Sequence, residues 1–97
     1  MEENKTMKFF KSVDDKLADI GFVKVDDTEF DVIYERENTQ YGYTQRLALL
    51  PKRSGRHIIQ SYQKDLNKSC FNNMVGLTVY EAELAIKKMK KKGWRSR

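Results

Sequence analysis

FDVIYERENTQYGYTQRLALLPKRSGRHIIQSYQK, residues 30–64, contains three runs in which apolar and polar side chains alternate. FDVIYERE (30–37) sets Phe30, Val32 and Tyr34 against Asp31, Ile33 and Glu35. YGYTQRLALL (41–50) sets Tyr43, Leu47 and Leu49 against Thr44, Arg46, Ala48 and Leu50. RHIIQSYQK (56–64) sets Ile58 and Tyr62 against His57, Ile59 and Ser61. Such alternation marks strands with one buried face. The runs are separated by Glu37-Asn38-Thr39-Gln40 and by Lys52-Arg53-Ser54-Gly55, short turn-forming stretches that join antiparallel neighbours. Pro51 fits a strand end, where its missing N–H does no harm. Ahead of these runs, FVKVD (22–26) reads as a further short strand with Val23 and Val25 on one face, and Asp26-Asp27-Thr28 as the turn after it. The expectation is a four-stranded antiparallel meander.

Working outward, TMKFFKSVDDKLADI (6–20) places Phe9, Phe10, Val13, Leu17 and Ile20 on one helical stripe. Gly21 suits the position after the helix, where a positive φ is needed. Phe22 then falls where a Schellman closure sets it against Leu17. At the other end, Thr78-Val79-Tyr80-Glu81 reads as a capping box that opens a helix running to Gly93. The expected inward face is Val79, Ala82, Ile86 and Met89, with Ala85 at the margin. Between sheet and helix, DLNKSCFNNMVG (65–76) is a long connection, expected to be pinned by Phe71 or Val75. The order is α-β-β-β-β-α, a two-layer α+β sandwich with both helices on one face of the sheet. Its expected core is Phe10, Val13, Leu17, Ile20, Val32, Tyr34, Leu47, Leu49, Ile58, Ile86 and Met89, with Leu47 and Ile86 nearly buried.

A chain of 97 residues makes one domain, 1–97, with flexible ends expected at 1–5 and 95–97. Hydrophobic content of 39% argues against disorder. No apolar run is long enough for a membrane span, and MEENKTMKFF lacks the pattern of a secretory signal. One cysteine, Cys70, forms no internal disulfide and points to a reducing, cytoplasmic home. The net charge of +5 is unevenly distributed: residues 1–50 carry 7 basic and 11 acidic side chains, net −4, and residues 51–97 carry 12 and 3, net +9. Such a split gives one electropositive side able to attract a polyanion.

Catalytic and metal signatures are not found. With one His and one Cys, the usual ligand clusters do not assemble, and His57 has no orienting partner for general-base work. His57 reads as a strand residue beside the Ser54-Gly55 turn, and its replacement is expected to leave fold and activity largely intact. Asp14-Asp15 and Asp26-Asp27 read as solvated surface, because adjacent side chains point apart. The isolated glycines form no phosphate-cradling loop. No catalytic residue, metal or cofactor is expected.

The basic end, AIKKMKKKGWRSR (85–97), carries seven Lys or Arg and no acid. Lys87, Lys88, Lys90 and Lys91 fall opposite Ile86 and Met89 on the wheel, and Lys52, Arg53 and Arg56 form a second basic group in the hairpin loop. If the loop and the helix meet, Lys52, Arg53, Arg56, Lys87, Lys88, Lys91 and Trp94 form a nucleic-acid-binding stripe. Tyr80 and Leu84 fall on the outer side of the same helix as candidate interface residues. Lysines in a last helical turn also suit the macrodipole without binding anything.

The order of elements with a basic final helix resembles double-stranded-RNA-binding domains, whose lysines stand at the start of the second helix. Here that start reads Thr78-Val79-Tyr80-Glu81, and the lysines stand at the far end. The opening helix ending in Ile20-Gly21-Phe22 is similar to HicA-type toxins, small ribonucleases with a Gly-Ser-His motif early in the sheet. This chain has Asp27-Thr28-Glu29 there and its histidine later. GRHIIQSYQK (55–64), followed by FNNMVGLTVYE (71–81) and the lysine-rich helix, is similar to small proteins of phages and prophages of Gram-positive bacteria. That likeness implies an accessory protein acting by binding nucleic acid or a host or phage protein. The leading expectation is a non-enzymatic protein, monomer or homodimer, that binds nucleic acid non-specifically through its basic surface and touches no membrane. The alternatives are a protein–protein interaction module or homodimer using Tyr80, Leu84 and the 65–76 loop, and a HicA-like ribonuclease relying on His57.

Overall fold

The computed structural model describes residues 11–64 and 73–95. Helix α1 (Val13–Asp19) is followed by strands β1 (Val23–Asp27), β2 (Val32–Asn38), β3 (Tyr43–Leu50) and β4 (Ile58–Gln63), then by helix α2 (Val79–Lys91). The strands form one sheet in the order β1-β2-β3-β4, each antiparallel to the next. The α+β meander read from residues 22–64 is therefore the observed fold. The helices cover one face, where Val13, Leu17, Phe22, Val32, Tyr34, Leu47, Leu49, Leu84, Ala85 and Met89 form the core.

Both helices end as their sequences dictate. Gly21 takes φ 98°, the Phe22 N–H donates to the Leu17 carbonyl at 2.9 Å, and the Gly21 N–H donates to Ala18 at 2.9 Å. These two bonds are the Schellman pair, and they turn Phe22 into the core. Gly93 repeats the device after α2: the Trp94 N–H donates to the Met89 carbonyl at 3.0 Å and the Gly93 N–H to Lys90 at 3.0 Å. At the start of α2, the Thr78 hydroxyl accepts from the Glu81 N–H and the Glu81 carboxylate from the Thr78 N–H, the expected capping box.

Four expectations are corrected. Helix α1 begins at Val13, because Ser12 is extended and caps it through a second box with Asp15; residues 6–10, Phe10 among them, lie outside the described residues. Strand β4 faces the other way: Leu49 pairs with Ile59 and Leu50 with Ile58, so Ile59 packs on the core and Ile58 is exposed. Adjacent Ile58 and Ile59 fit either alternation, and the register with β3 decides between them. Phe30 leaves the strand for the β1–β2 loop and is exposed, and Val23 and Val25 are exposed on an edge strand with a register shift between Lys24 and Asp26. The 65–76 connection is not one of these corrections: Val75 is half-buried and bonds through its N–H to the Ser61 carbonyl, while Phe71 lies outside the described residues.

The fourth correction matters most for function. Helix α2 is rotated from its expected facing. Leu84 is 1% exposed, whereas Val79 is 75% and Ile86 42% exposed. The cause is polar. The buried Glu81 carboxylate meets Arg36 at 2.9 Å. Arg36 also donates to the Ile20 carbonyl at 3.1 Å and to Gln45 at 2.9 Å, and its guanidinium lies 4.1 Å from the centre of the Phe22 ring. Gln45 in turn donates to Ser61 at 2.7 Å. A carboxylate at position 81 that must reach a cation on β2 sets the rotation, and Leu84, Ala85 and Met89 follow it inward. Among the described residues no buried side-chain nitrogen or oxygen lacks a partner.

Candidate functional site

The hairpin loop meets the stretch after α2 at one end of the sheet, where β3 ends and β4 begins. The loop from Pro51 to His57 is closed by a bond from the Gly55 N–H to the Lys52 carbonyl at 2.9 Å and one from the Arg56 N–H to the Ser54 hydroxyl at 3.2 Å. His57 closes it further. Its Nδ1 accepts from the Lys52 N–H at 2.9 Å, and its Nε2 lies 2.7 Å from the Arg95 carbonyl oxygen. A ring nitrogen that accepts at Nδ1 carries its proton on Nε2, so Nε2–H donates to Arg95. Both ring nitrogens are engaged. The imidazole thus joins the hairpin loop to the stretch after α2, across 38 residues of chain.

Trp94 completes the junction. The Gly93 turn sends it back over the sheet, where it is half-buried, packs on the core and lies 5.7 Å from the His57 ring at a 46° tilt. It stands beside the basic residues with part of its ring packed inward. Arg95, expected at a flexible end, has its carbonyl held by His57. Residues 1–5, 96 and 97 lie outside the described residues.

The lysine row divides. Lys87 and Lys91 are exposed, on the flank expected from the wheel. Lys88 is not available: its side chain is 13% exposed and its Nζ lies 3.1 Å from Asp14 and 3.3 Å from Asp27. Lys92 likewise donates to Asp27 and to the Thr28 carbonyl. Lys24 joins the same cluster at 2.9 Å from each aspartate. The buried Tyr34 hydroxyl donates to Asp14. Asp14 and Asp27, expected as separate solvated pairs with their neighbours, converge here from α1 and β1. The lysines leave their mark on both acids. A hydrogen bond from Lys92 holds the Asp27 carboxyl far below the usual carboxylate range, against its partial burial and with help from Lys24 and Lys88. Burial pushes the Asp14 carboxyl up, but hydrogen bonds from Tyr34, Lys24 and Lys88 outweigh it and the net direction is down. Burial, then the bond to Asp14, drives the Tyr34 phenol well above its ordinary value.

The exposed basic side chains of these segments are Lys52, Arg53 and Arg56 on the loop and Lys91 and Arg95 at the end of α2, with Lys87 one turn further back. All are exposed, and no carboxylate among the described residues is paired with any of them. Arg95 was missed from the sequence, although Gly93 followed by an aromatic residue signals that the chain turns back at this point. Of the two expected interface residues, Tyr80 is exposed and Leu84 lies in the core, so Leu84 meets no partner. Among the described residues no group of three or more His, Cys, Asp or Glu side chains forms a metal cluster, and no helix is long and apolar enough to cross a membrane. No family model matches this chain, and no significant match exists among the curated proteins or the solved structures.

Proposed function

We propose that this is a small non-enzymatic accessory protein that binds a polyanion, nucleic acid first among them, through the basic surface formed by Lys52, Arg53, Arg56, Lys91 and Arg95. The observation that carries this reading is the His57 bridge. It holds a basic hairpin loop against a basic chain end, and neither group is neutralised from within the described residues. Close basic side chains without internal partners repel one another, so they favour a ligand that brings phosphates. The binding is of the non-specific kind: cations meet a phosphate backbone.

The division of the lysine row supplies the test. A labelled oligonucleotide, duplex or single-stranded, is titrated with protein at low salt, where surface electrostatics are strongest. The reading expects binding that is weakened in the Lys52→Gln, Arg53→Gln, Arg56→Gln variant and kept in Lys88→Gln, whose lysine faces inward. Absence of any binding by the wild-type protein at low salt refutes it.

A further inference from the structure

The rotation of α2 leaves an outward ridge that the core does not use. Val79, Glu83, Ile86 and Lys90 are all exposed and fall along one line of the helix. Single exposed apolar side chains need no explanation. This ridge differs in its order: apolar, acidic, apolar, basic. Glu83 and Lys90 stand two turns apart, too far to pair with each other along the helix. Neither has an ion-pair partner among the described residues.

That order is complementary to its own reverse. When a second α2 is laid antiparallel with Ile86 at the two-fold axis, positions equally far before and after residue 86 face one another. Glu83 lies three residues before Ile86, and Lys90 four residues after it. Each copy's Glu83 then falls within one residue of its mate's Lys90, so two reciprocal ion pairs flank an Ile86–Ile86 contact. Val79 comes over the mate's Gly93, which has no side chain to obstruct it. An isologous interface requires this kind of self-complementarity.

We infer that α2 is a homodimerisation surface, in which two copies pack antiparallel through Ile86 with Glu83 of each copy paired to Lys90 of the other. The inference is independent of the polyanion reading. One helical ridge offers less than the ~800 Å² per partner of a standard stable interface, so the dimer is weak and concentration-dependent. Because the helices run antiparallel, their C-termini, and with them the two basic ends, point in opposite directions.

The test is the register. Sedimentation under reducing conditions, across about two decades of protein concentration, is expected to show a monomer–dimer equilibrium. Glu83→Lys and Lys90→Glu should each shift it toward monomer, and the double exchange should restore it. In a Cys70→Ser background, Ile86→Cys should form a disulfide-linked dimer on mild oxidation, since its Cβ atoms meet at the axis, and Val79→Cys should not. All four positions are exposed, so the helix folds in each variant, as far-UV circular dichroism will verify. A wild-type protein that remains monomeric throughout overturns the proposal. So does equal cross-linking from Val79→Cys and Ile86→Cys, or a double exchange that stays monomeric.

Discussion

Lys88 Nζ lies 3.1 Å from an oxygen of Asp14, joining the last turn of α2 to the first turn of α1 across 74 residues of sequence. A lysine inside a run of lysines is thus an interior residue. With Lys24, Lys92, Asp27 and Tyr34 it forms a charged cluster that ties both helices to the β1 edge of the sheet.

This cluster gives the fold an acid limit. Asp27 and Asp14 both have folded pKa values below their unfolded ones. Such groups contribute stability that is fully present above the unfolded carboxylate value of about 3.9 and is lost as pH falls toward the folded values. The melting temperature should therefore hold from neutral pH to about pH 5 and fall below about pH 4. Asp27→Asn should melt lower at neutral pH and lose less on acidification. Thermal melts from pH 7 to pH 2 check this, and parallel acid limbs for the two proteins would exclude Asp27 as a cause.

The facing of α2 predicts a contrast between two apolar residues two positions apart. Leu84→Ala should cost about 2–5 kcal/mol, as for a fully buried leucine. Ile86→Ala, at a site 42% exposed, should cost less than about 1 kcal/mol. Urea unfolding of the two variants measures the difference. The reverse order would place Ile86 in the core.

Glu81 has two tasks that substitution separates. One oxygen caps the Thr78 N–H at 2.9 Å, and the other meets Arg36 at 2.9 Å. Glu81→Gln keeps an acceptor for the cap but leaves Arg36 without its counter-charge. Glu81→Ala loses both. Breaking a buried pair typically costs about 3–5 kcal/mol, and a lost cap about 1 kcal/mol more. The alanine variant should be the less stable by about that cap contribution. Equal stabilities in denaturant would show that the capping bond contributes nothing.

The contrast between what was and was not legible in the sequence follows the range of the interactions. Gly21 with Phe22, and Thr78 with Glu81, were legible because a helix end is decided by chemistry within about six residues. The strands were legible because alternation is local. The Ser12-to-Asp15 box was also there to be read, but the apolar residues at 9 and 10 masked it. The facing of α2 was not legible. Val79-Ala82-Ile86 and Leu84-Ala85-Met89 are both apolar stripes, and the choice between them lies with Arg36 and Asp14, which no local window contains. The same holds for the candidate site. Lys52, Arg53, Arg56, Lys87 and Lys91 were named from charge alone and are exposed, whereas the loss of Lys88 to the interior depends on contacts from 61 and 74 residues away.

The measurement that tests the proposed function most directly is the salt dependence of oligonucleotide affinity, wild type against two variants. With Lys52, Arg53, Arg56, Lys91 and Arg95 engaged on duplex DNA, the slope of log K against log salt should be about −4 to −5, at roughly −0.9 per phosphate contact. Replacing Lys52, Arg53 and Arg56 by Gln should flatten it by about 2.7 with little change in the melt, since exposed charges contribute little to stability. Lys88→Gln should lower the melt and leave the slope as it was. A slope near zero for the wild type, or a slope flattened as much by Lys88→Gln as by the three loop replacements, would contradict the proposal.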